Sequence, residues 1–358
     1  MFCQECTAPS YQELRPFRSP TTPNRFPVYE DLVDALATTT AHPNDETAYA
    51  LSVGAGYAYG TADTVSTMMA RMGLADNACR MVGLYVDPMF IASTAFLVQS
   101  SDGRVVILSY RGTEPINFIN WLTDLDVYTD KVEIPFETPP DTFEVHGGFY
   151  RNVRATGYEV IAALQRAVEG QSILVDTEAG HRPSHPLEAL YVTGHSLGGA
   201  MGALMAVMLM EEPAYSSIAS KLRAVYTFGQ PMIGSPELAA ASDENPALRD
   251  KVIRYVYRRD IVPHLPPRDT GAFAHFGREY RYDDSWPWEE SKQPTGQLGY
   301  AAEILETPIA ALASQFPLLR NIPFRHNLDD HLPHHYVAAI TPPGVLTEFG
   351  DYYRADAR

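Results

Sequence analysis

The chain has 358 residues, 45% of them hydrophobic, and its 27 basic and 44 acidic side chains give a formal net charge of −17. This length and composition are typical of one large α/β domain, or of one domain with additions. The acidic balance, without any run rich in lysine or arginine, argues against nucleic acid or a strongly anionic membrane surface as a partner.

The cysteines, the start of the chain and the length of its apolar runs argue against four further classes of protein. Cys3, Cys6 and Cys79 are an odd number in a long chain, so a disulfide scaffold is not expected. The CxxC of Cys3 and Cys6 lacks a second Cys/His pair at zinc-site spacing, which disfavours a zinc protein. No secretory signal and no run of about 18 apolar residues is visible, so we expect a cytoplasmic protein without a transmembrane segment, a secreted mature form being the alternative.

The first part of the chain combines prolines with helical patterns. Five prolines between residues 8 and 27 predict an extended arm, because proline blocks regular structure. Residues 28–40 and 45–73 have apolar residues at spacings of three and four, which predicts helices, although three glycines weaken the second stretch. We therefore divide the chain into residues 1–89, an arm with a helical addition packed on the core, and residues 90–358, the main domain.

From residue 90 the pattern changes to strands. Two apolar, β-branched runs flank Ser101-Asp102-Gly103, a sequence typical of a hairpin turn. Residues 146–170 form a helical pattern that Gly170 ends, and apolar runs then alternate with helical stretches. This alternation, with several almost continuously apolar strands, predicts a largely parallel sheet covered by helices on both faces.

One stretch, ALYVTGHSLGGAMGALMAVMLM at residues 189–210, runs from an apolar strand through Gly-His-Ser-Leu-Gly-Gly into a helix of small residues. Gly-x-Ser-x-Gly alone is a modest signal, but a preceding strand and a following helix are the surroundings of a nucleophile elbow. Glycines on both sides of Ser196 relieve the crowding of such a tight turn. We interpret Ser196 as a nucleophile; the alternative is a glycine-rich turn of purely structural use.

An acid and a base must follow the serine, because the order on such an elbow is Ser, then Asp or Glu, then His. Asp260 stands at the end of a strand, where catalytic groups collect in open α/β sheets, although an Asp there could also cap a turn. Among the six histidines that follow, His331, His334 and His335 cluster with two aspartates. Pro333 disturbs the spacing that would direct them at one metal ion. The residues alone leave the base open.

A series of ordered motifs from about residue 90 onward resembles the class 3 lipases, the fungal-type triacylglycerol lipase family with an α/β-hydrolase fold. The motifs are LSYRGTEPINFINWLTDLD, VHGGF, VTGHSLGGA, TFGQPMIG, RRDIVPHLPP and DHLPHHY. The resemblance implies Ser196 as the nucleophile, Asp260 as the acid and His331 as the base, with His334 and His335 as fallback bases. It also implies that residues 90–358 are the catalytic domain and that no cofactor is required.

The same resemblance places the oxyanion and lid segments upstream of the serine. It implies that Thr113 and the backbone amide of Leu197 bind the oxyanion. A lid is expected at about residues 114–128, with substrate-side residues Phe118, Trp121 and Leu122; the alternative is a permanently packed helix. Two parts depart from the family pattern: roughly the first 80 residues, and an insertion at about residues 285–324. His195 and His146 are interpreted as supporting residues.

The expected function is that of a serine carboxylester hydrolase acting on acylglycerols or on short- to medium-chain esters. Its partners are then a small ester or lipid substrate, with transient contact to a lipid interface. The nearest alternative is the same chemistry on another ester, as in a phospholipase A1 or a feruloyl-type esterase. A protein of a different class, an inactive lipid-binding protein on the same fold, is the remote alternative.

Overall fold

The computed structural model describes residues 1–7, 27–86, 91–113, 129–137, 140–175, 180–283, 287–299 and 328–345. Most of the predicted arm, the predicted lid and residues 300–324 of the predicted insertion lie outside these ranges. The expectations for Phe118, Trp121 and Leu122 therefore fall on residues that the structure does not describe.

A nine-stranded sheet forms the centre of the described fold, in the order β1-β2-β3-β4-β7-β8-β9-β10-β11. The strands are β1 (Phe2–Thr7), β2 (Ala78–Val86), β3 (Ile91–Gln99), β4 (Val105–Tyr110), β7 (Ala189–His195), β8 (Leu222–Phe228), β9 (Val252–Tyr257), β10 (Arg278–Tyr282) and β11 (Glu289–Glu290). Strands β5 (Thr129–Glu133) and β6 (Thr142–His146) pair separately.

The sheet is mixed rather than largely parallel throughout. Strands β4, β7, β8, β9 and β10 are parallel neighbours, whereas the pairs at both ends of the sheet are antiparallel. The predicted hairpin is confirmed, with Ser101-Asp102-Gly103 between β3 and β4. Such a short connection allows only antiparallel pairing, whereas each parallel pair needs a longer crossover.

Helices cover the sheet on both faces. They are α1 (Leu32–Thr38), α2 (Asp45–Tyr57), α3 (Ala62–Met72), α4 (Gly147–Val168), α5 (Leu197–Glu211), α6 (Ser216–Ala219), α7 (Pro236–Glu244), α8 (Pro246–Lys251) and α9 (Pro333–Ile340). Within the described ranges, none of them combines the length and apolar character needed to cross a bilayer.

Alternating side chains of each strand separate two hydrophobic cores. In β7, Leu190 and Val192 belong to the core that contains α4 and α5. Ala189 and Tyr191 belong to the other core, with α1, α2, α3 and α9. Because successive side chains of a strand point to opposite faces, an almost continuously apolar strand serves both cores. The N-terminal helices thus form one of the two layers that bury the sheet.

The N-terminal region is helical as predicted, with two differences. Residues 45–73 form two helices, α2 and α3, with Gly60 in the turn between them. Strands β1 and β2 were not predicted, and both pair into the central sheet. The domain division at residue 90 stays a prediction, and strands from both sides of it lie in one sheet.

A buried ion pair fixes the edge of the sheet beyond β9. The Arg254 guanidinium lies 2.9 Å from the Glu279 carboxylate, and both side chains are almost fully buried. Glu279 also accepts hydrogen bonds from the backbone N–H and the hydroxyl of Thr295, within the predicted insertion. In the same segment, Trp288 donates its indole N–H to the Ala339 carbonyl oxygen at 3.1 Å. The described part of the insertion therefore packs on the core.

Removing the Glu279 carboxylate tests this buried pair. Glu279→Ala leaves the buried Arg254 guanidinium without its counter-ion, so we expect a loss of about 3–5 kcal/mol in the free energy of unfolding. The measurement is urea unfolding followed by circular dichroism. The matched control is Asp250→Ala, which breaks the exposed ion pair of Arg249 and Asp250 and should leave the midpoint unchanged. Equal shifts in the two variants would contradict the prediction.

Candidate active site

Ser196 lies alone between a strand and a helix. Strand β7 ends at His195 and α5 begins at Leu197, and Ser196 has φ +59° and ψ −131°. A positive φ is rare and strained for a residue with a side chain, and is characteristic of a nucleophile elbow. The Ser196 N–H donates to the Phe228 carbonyl oxygen at 2.9 Å, which attaches the turn to β8.

Steric crowding explains why both ends of the Gly-x-Ser-x-Gly motif are glycine. A Cβ atom on Gly194 would lie 2.3 Å from the Gly198 carbonyl group. A Cβ atom on Gly198 would lie 2.1 Å from the Tyr110 carbonyl oxygen, at the end of β4. Any side chain at these positions would force the helix away from the sheet, so the motif sets how closely α5 begins above β4 and β7.

Asp260 and His331 form a hydrogen-bonded pair. Asp260 follows β9 and is fully buried, and its Oδ2 atom lies 2.8 Å from Nδ1 of His331. His331 ends a short 3-10 helix, Asp329–His331, just before α9. Because the carboxylate accepts at Nδ1, a neutral His331 carries its proton there and presents Nε2 as an acceptor. Asp260 also accepts the Val262 N–H at 2.9 Å.

Tyr336 completes the surroundings of the buried carboxylate. Its hydroxyl donates to Asp260 Oδ2 at 2.5 Å and accepts the Tyr257 N–H at 3.1 Å. Burial, together with the neighbouring Asp260 carboxylate, holds the pKa of Tyr336 well above its ordinary value. The phenol is therefore a permanent donor. The sequence indicated Tyr336 only as a feature of the motif around His331, without a role.

Gly229 is a site residue that sequence reasoning missed. It has φ +60°, and a Cβ atom on it would lie 2.8 Å from Asp260 Oδ2 and 2.9 Å from Nδ1 of His331. Only glycine allows the chain to pass this close to the pair. Its position in TFGQPMIG was noted as part of a motif, but nothing in the sequence shows what lies against it.

The same region brings Ser196 close to the pair. The backbone of Ser196 bonds to Phe228, the residue before Gly229, and the ring of His195 lies 4.5 Å from that of His331. Ser196 is 1% exposed, and within the described ranges its hydroxyl has no hydrogen-bond partner. The turn that carries Ser196 thus lies beside the bonded pair of Asp260 and His331, while among these three described residues no hydrogen bond joins the Ser196 hydroxyl to that pair.

The fallback histidines make different contacts. His335 stacks on Tyr257 with ring centroids 5.4 Å apart, and its Nε2 lies 3.7 Å from the Asp329 carboxylate. His334 lies against His335, at 4.2 Å between the rings. Among the described residues, no group of three or more histidine, cysteine, aspartate or glutamate side chains could hold a metal ion. Of the three clustered histidines, His331 is the one that bonds to the Asp260 carboxylate.

Thr113 and Leu197 lie at the same edge of the sheet. Thr113 follows β4, the parallel neighbour of β7, with Tyr110 opposite Gly194. Leu197 is the first residue of α5, where backbone N–H groups have no partner within the helix and can bind an anion. The close approach of Gly198 to the end of β4 places the two segments side by side.

The two supporting histidines are both buried. Burial, and secondarily the neighbouring His331, holds the pKa of His195 well below its ordinary value. His146 precedes α4 and stacks on Phe149 with ring centroids 3.8 Å apart. Burial lowers the pKa of His146 to about 3. Both rings are therefore neutral at physiological pH.

Comparison with known proteins connects this geometry to a family. The family model of class 3 lipases matches residues 107–270, a range that contains Thr113, Ser196 and Asp260 in order. This segment, residues 107–270, belongs to the class 3 lipase family and is called the class 3 segment below. His331 and Tyr336 follow the matched class 3 segment, and α1 to α3 precede it.

Two relatives resemble about half of the chain. It is 32% identical to a lipase of Rhizomucor miehei over 198 residues, which cover 54% of this chain and 46% of that protein. It is 30% identical to the triacylglycerol lipase OBL1 of Arabidopsis thaliana over 213 residues, covering 52% of this chain and 39% of that protein. Each match thus spans less than half of the relative's own length.

One solved structure resembles nearly the whole chain. The lipase from Rhizopus microsporus var. chinensis aligns with a TM-score of 0.51 at 18% identity, covering 98% of this chain and 97% of that one. At this identity the likeness concerns the fold alone. The α/β-hydrolase fold predicted around the class 3 segment is confirmed.

A pair of glycine variants tests the steric reason for the elbow. Gly198→Ala places a Cβ atom against the Tyr110 carbonyl oxygen, so we expect a loss of about 2 kcal/mol or more in the free energy of unfolding. Gly157→Ala, in the middle of α4 with nothing within 4 Å of the added atom, should instead stabilise by about 0.5–1 kcal/mol. Urea unfolding measures both, and a neutral Gly198→Ala would contradict the close approach.

The buried His146 predicts a pH dependence of stability. Its folded pKa is about 3 and its unfolded pKa about 6.5, so between these values the unfolded chain binds the proton and the folded chain does not. The contribution of His146 to the free energy of unfolding is therefore fully present above its unfolded pKa and is lost as the pH falls. The loss is at most about 1.4 kcal/mol per pH unit for this one proton.

The measurement is urea unfolding of the wild type and of His146→Gln from pH 7.5 to pH 5. The variant lacks this proton-binding group, so its unfolding free energy should decline less steeply with falling pH, whatever its absolute value. Identical slopes in the two proteins would show that His146 does not resist protonation in the folded state.

Proposed function

We propose that the chain is a serine carboxylester hydrolase that cleaves acylglycerols or short- to medium-chain esters. The observation that carries the proposal is the 2.8 Å hydrogen bond between Asp260 and His331, beside a strained elbow that presents Ser196. A base oriented by a buried carboxylate next to an elbow serine is the arrangement that acyl transfer requires.

The reaction begins with proton transfer from Ser196. His331 Nε2 takes the hydroxyl proton as the serine oxygen bonds to the ester carbonyl carbon, and the carbonyl oxygen becomes an oxyanion. The tetrahedral intermediate then collapses, the bond to the alcohol breaks, and His331 returns the proton to the leaving oxygen. Water repeats the sequence on the acyl-enzyme, releasing the acid and regenerating Ser196.

Asp260 stabilises the imidazolium that forms on His331 during each step. Its carboxylate already accepts hydrogen bonds from Tyr336 and from the Val262 backbone, so it keeps its position while the charge on the ring changes. The stabilisation develops only as the proton moves, and such interactions accelerate the chemical step.

The oxyanion is bound by backbone N–H groups of Leu197 and Thr113, with the Thr113 hydroxyl as a further donor. The positive end of α5 supports negative charge at this place. Losing one such donor typically lowers turnover by about 10²–10³-fold.

The acylglycerol preference rests on the named relatives. The Arabidopsis thaliana relative carries the name triacylglycerol lipase, and the Rhizomucor miehei relative the name lipase. Neither name refers to a phospholipid or to a feruloyl ester, so the acylglycerol substrate is the one that we propose.

Hydrolysis of p-nitrophenyl esters, from acetate to palmitate, tests the proposal on the purified chain. We expect Ser196→Ala to lower kcat by about 10⁴-fold or more, because the nucleophile is lost and only binding and the oxyanion donors remain. A fluorophosphonate probe should label the wild type and not the variant. Labelling that survives Ser196→Ala would exclude Ser196 as the nucleophile.

The same ester series distinguishes the substrate classes. Activity on long chains that rises sharply once an emulsion forms would indicate a lidded lipase. Saturation on short soluble esters without such a rise would indicate an esterase. A wild type that neither hydrolyses any ester nor reacts with the probe would contradict the proposed function and favour an inactive lipid-binding protein.

A further inference from the structure

The turn between α2 and α3, residues 58–60, contacts the segment that leads to Thr113. Arg111 donates from Nε to the Ala58 carbonyl oxygen at 2.7 Å, and from its terminal nitrogen to the carbonyl oxygen of Gly60. The guanidinium thus holds the two residues on either side of Tyr59. Arg111 also lies over the Phe96 ring, 5.6 Å from its centroid, which fixes the side chain from the other side.

Tyr59 reaches from this turn to the histidine beside Ser196. Its hydroxyl lies 2.8 Å from His195 Nδ1, and His195 Nε2 lies 2.6 Å from the backbone carbonyl oxygen of His331. A carbonyl oxygen only accepts, so His195 carries its proton on Nε2 and donates it to His331. Nδ1 is then an acceptor, and the Tyr59 hydroxyl must donate to it.

Both side chains in this chain of hydrogen bonds keep one protonation state over the range in which esters are hydrolysed: Tyr59 stays protonated and His195 stays neutral. Burial holds the pKa of Tyr59 above its ordinary value, and burial holds the pKa of His195 well below its own. The direction of the two hydrogen bonds is therefore constant. A rigid chain of contacts leads from α2 to the backbone of His331.

Tyr59 also touches the oxyanion side of the site. A Cβ atom on Gly112 would lie 2.2 Å from the Tyr59 hydroxyl oxygen and 2.6 Å from the His195 carbonyl oxygen. The chain immediately before Thr113 therefore passes against both residues. One phenol contacts the segment of the proposed oxyanion donor and, through His195, the segment of the proposed base.

We infer that Tyr59 is a positioning residue, which holds His331 and the Thr113 segment in register by acting through His195 and Gly112. The inference rests on the proposed function and adds a part for the N-terminal region, which lies outside the class 3 segment. Small errors in the placement of a base or an oxyanion donor reduce turnover strongly, because the reacting atoms must be aligned. Tyr59 itself touches neither the substrate nor the reacting atoms.

The test is Tyr59→Phe, which keeps the ring against Gly112 and removes the hydrogen bond to His195. We expect kcat for p-nitrophenyl esters to fall roughly tenfold while KM stays within about twofold, because positioning acts on the chemical step. The matched control is Tyr191→Phe, which also removes one buried hydroxyl, bonded at 2.8 Å to the Leu36 carbonyl oxygen in the core. It should lose comparable stability and keep its kcat.

A spectrum that does not depend on activity accompanies the kinetics. In protein labelled with ¹⁵N-histidine, the His195 resonances, assigned by their loss in His195→Gln, should show the proton on Nε2. In Tyr59→Phe the Nδ1 resonance should move toward that of an imine nitrogen without a hydrogen bond, and in Tyr191→Phe it should not.

Three results would overturn the inference: an unchanged kcat in Tyr59→Phe, an equal fall of kcat in Tyr191→Phe, or a wild-type His195 with its proton on Nδ1. If the wild type hydrolyses no ester, the proposed function fails. The spectra then test the hydrogen bond between Tyr59 and His195 by themselves. An Nδ1 resonance of His195 that Tyr59→Phe leaves unchanged would overturn the inference.

Discussion

Burying a carboxylate is costly unless hydrogen bonds replace the water that it loses, and Asp260 is fully buried. Its two oxygens accept from His331, Tyr336 and the Val262 backbone. Two of these donors, His331 and Tyr336, come from a segment about 70 residues further along the chain. The hydrogen bonds that stabilise the buried Asp260 carboxylate therefore hold helix α9 against the end of β9. The proposed catalytic base is placed by the same requirement.

The elbow depends on a second constraint, the space between α5 and the sheet. Helix α5 begins so close to β4 and β7 that only glycine fits at two positions. This closeness places the N-terminus of α5 beside the segment that carries Thr113. The strained backbone of Ser196 is retained because hydrogen bonding to β8 and the packing of α5 hold both sides of the turn.

The N-terminal helices connect these constraints. They cover one face of the sheet, and the turn between α2 and α3 reaches the oxyanion segment and the His195 ring. The class 3 segment contains the elbow and the acid but not these helices, nor His331 and Tyr336. The segment that defines the family therefore needs chain from both sides of it to complete the site.

Most of the elements around the site, and the elbow itself, could be predicted from sequence, because hydrophobic periodicity and the steric demands of a tight turn act over a few neighbouring residues. The hairpin before Tyr110, the long helix after His146 and the strand before Asp260 could all be predicted in this way. The resemblance to class 3 lipases then identified His331 as the base among six histidines, which local sequence patterns did not distinguish.

Contacts between side chains that are distant in the chain came from the folded structure. Gly229 is required because Asp260 and His331 lie against it, and Tyr336 matters because its hydroxyl reaches a carboxylate that no local pattern connects to it. The antiparallel strands β1 and β2, and the contact of Tyr59 with His195, also join residues far apart in the chain. Such contacts depend on how the layers pack, and packing is a property of the whole fold that a local sequence pattern does not contain.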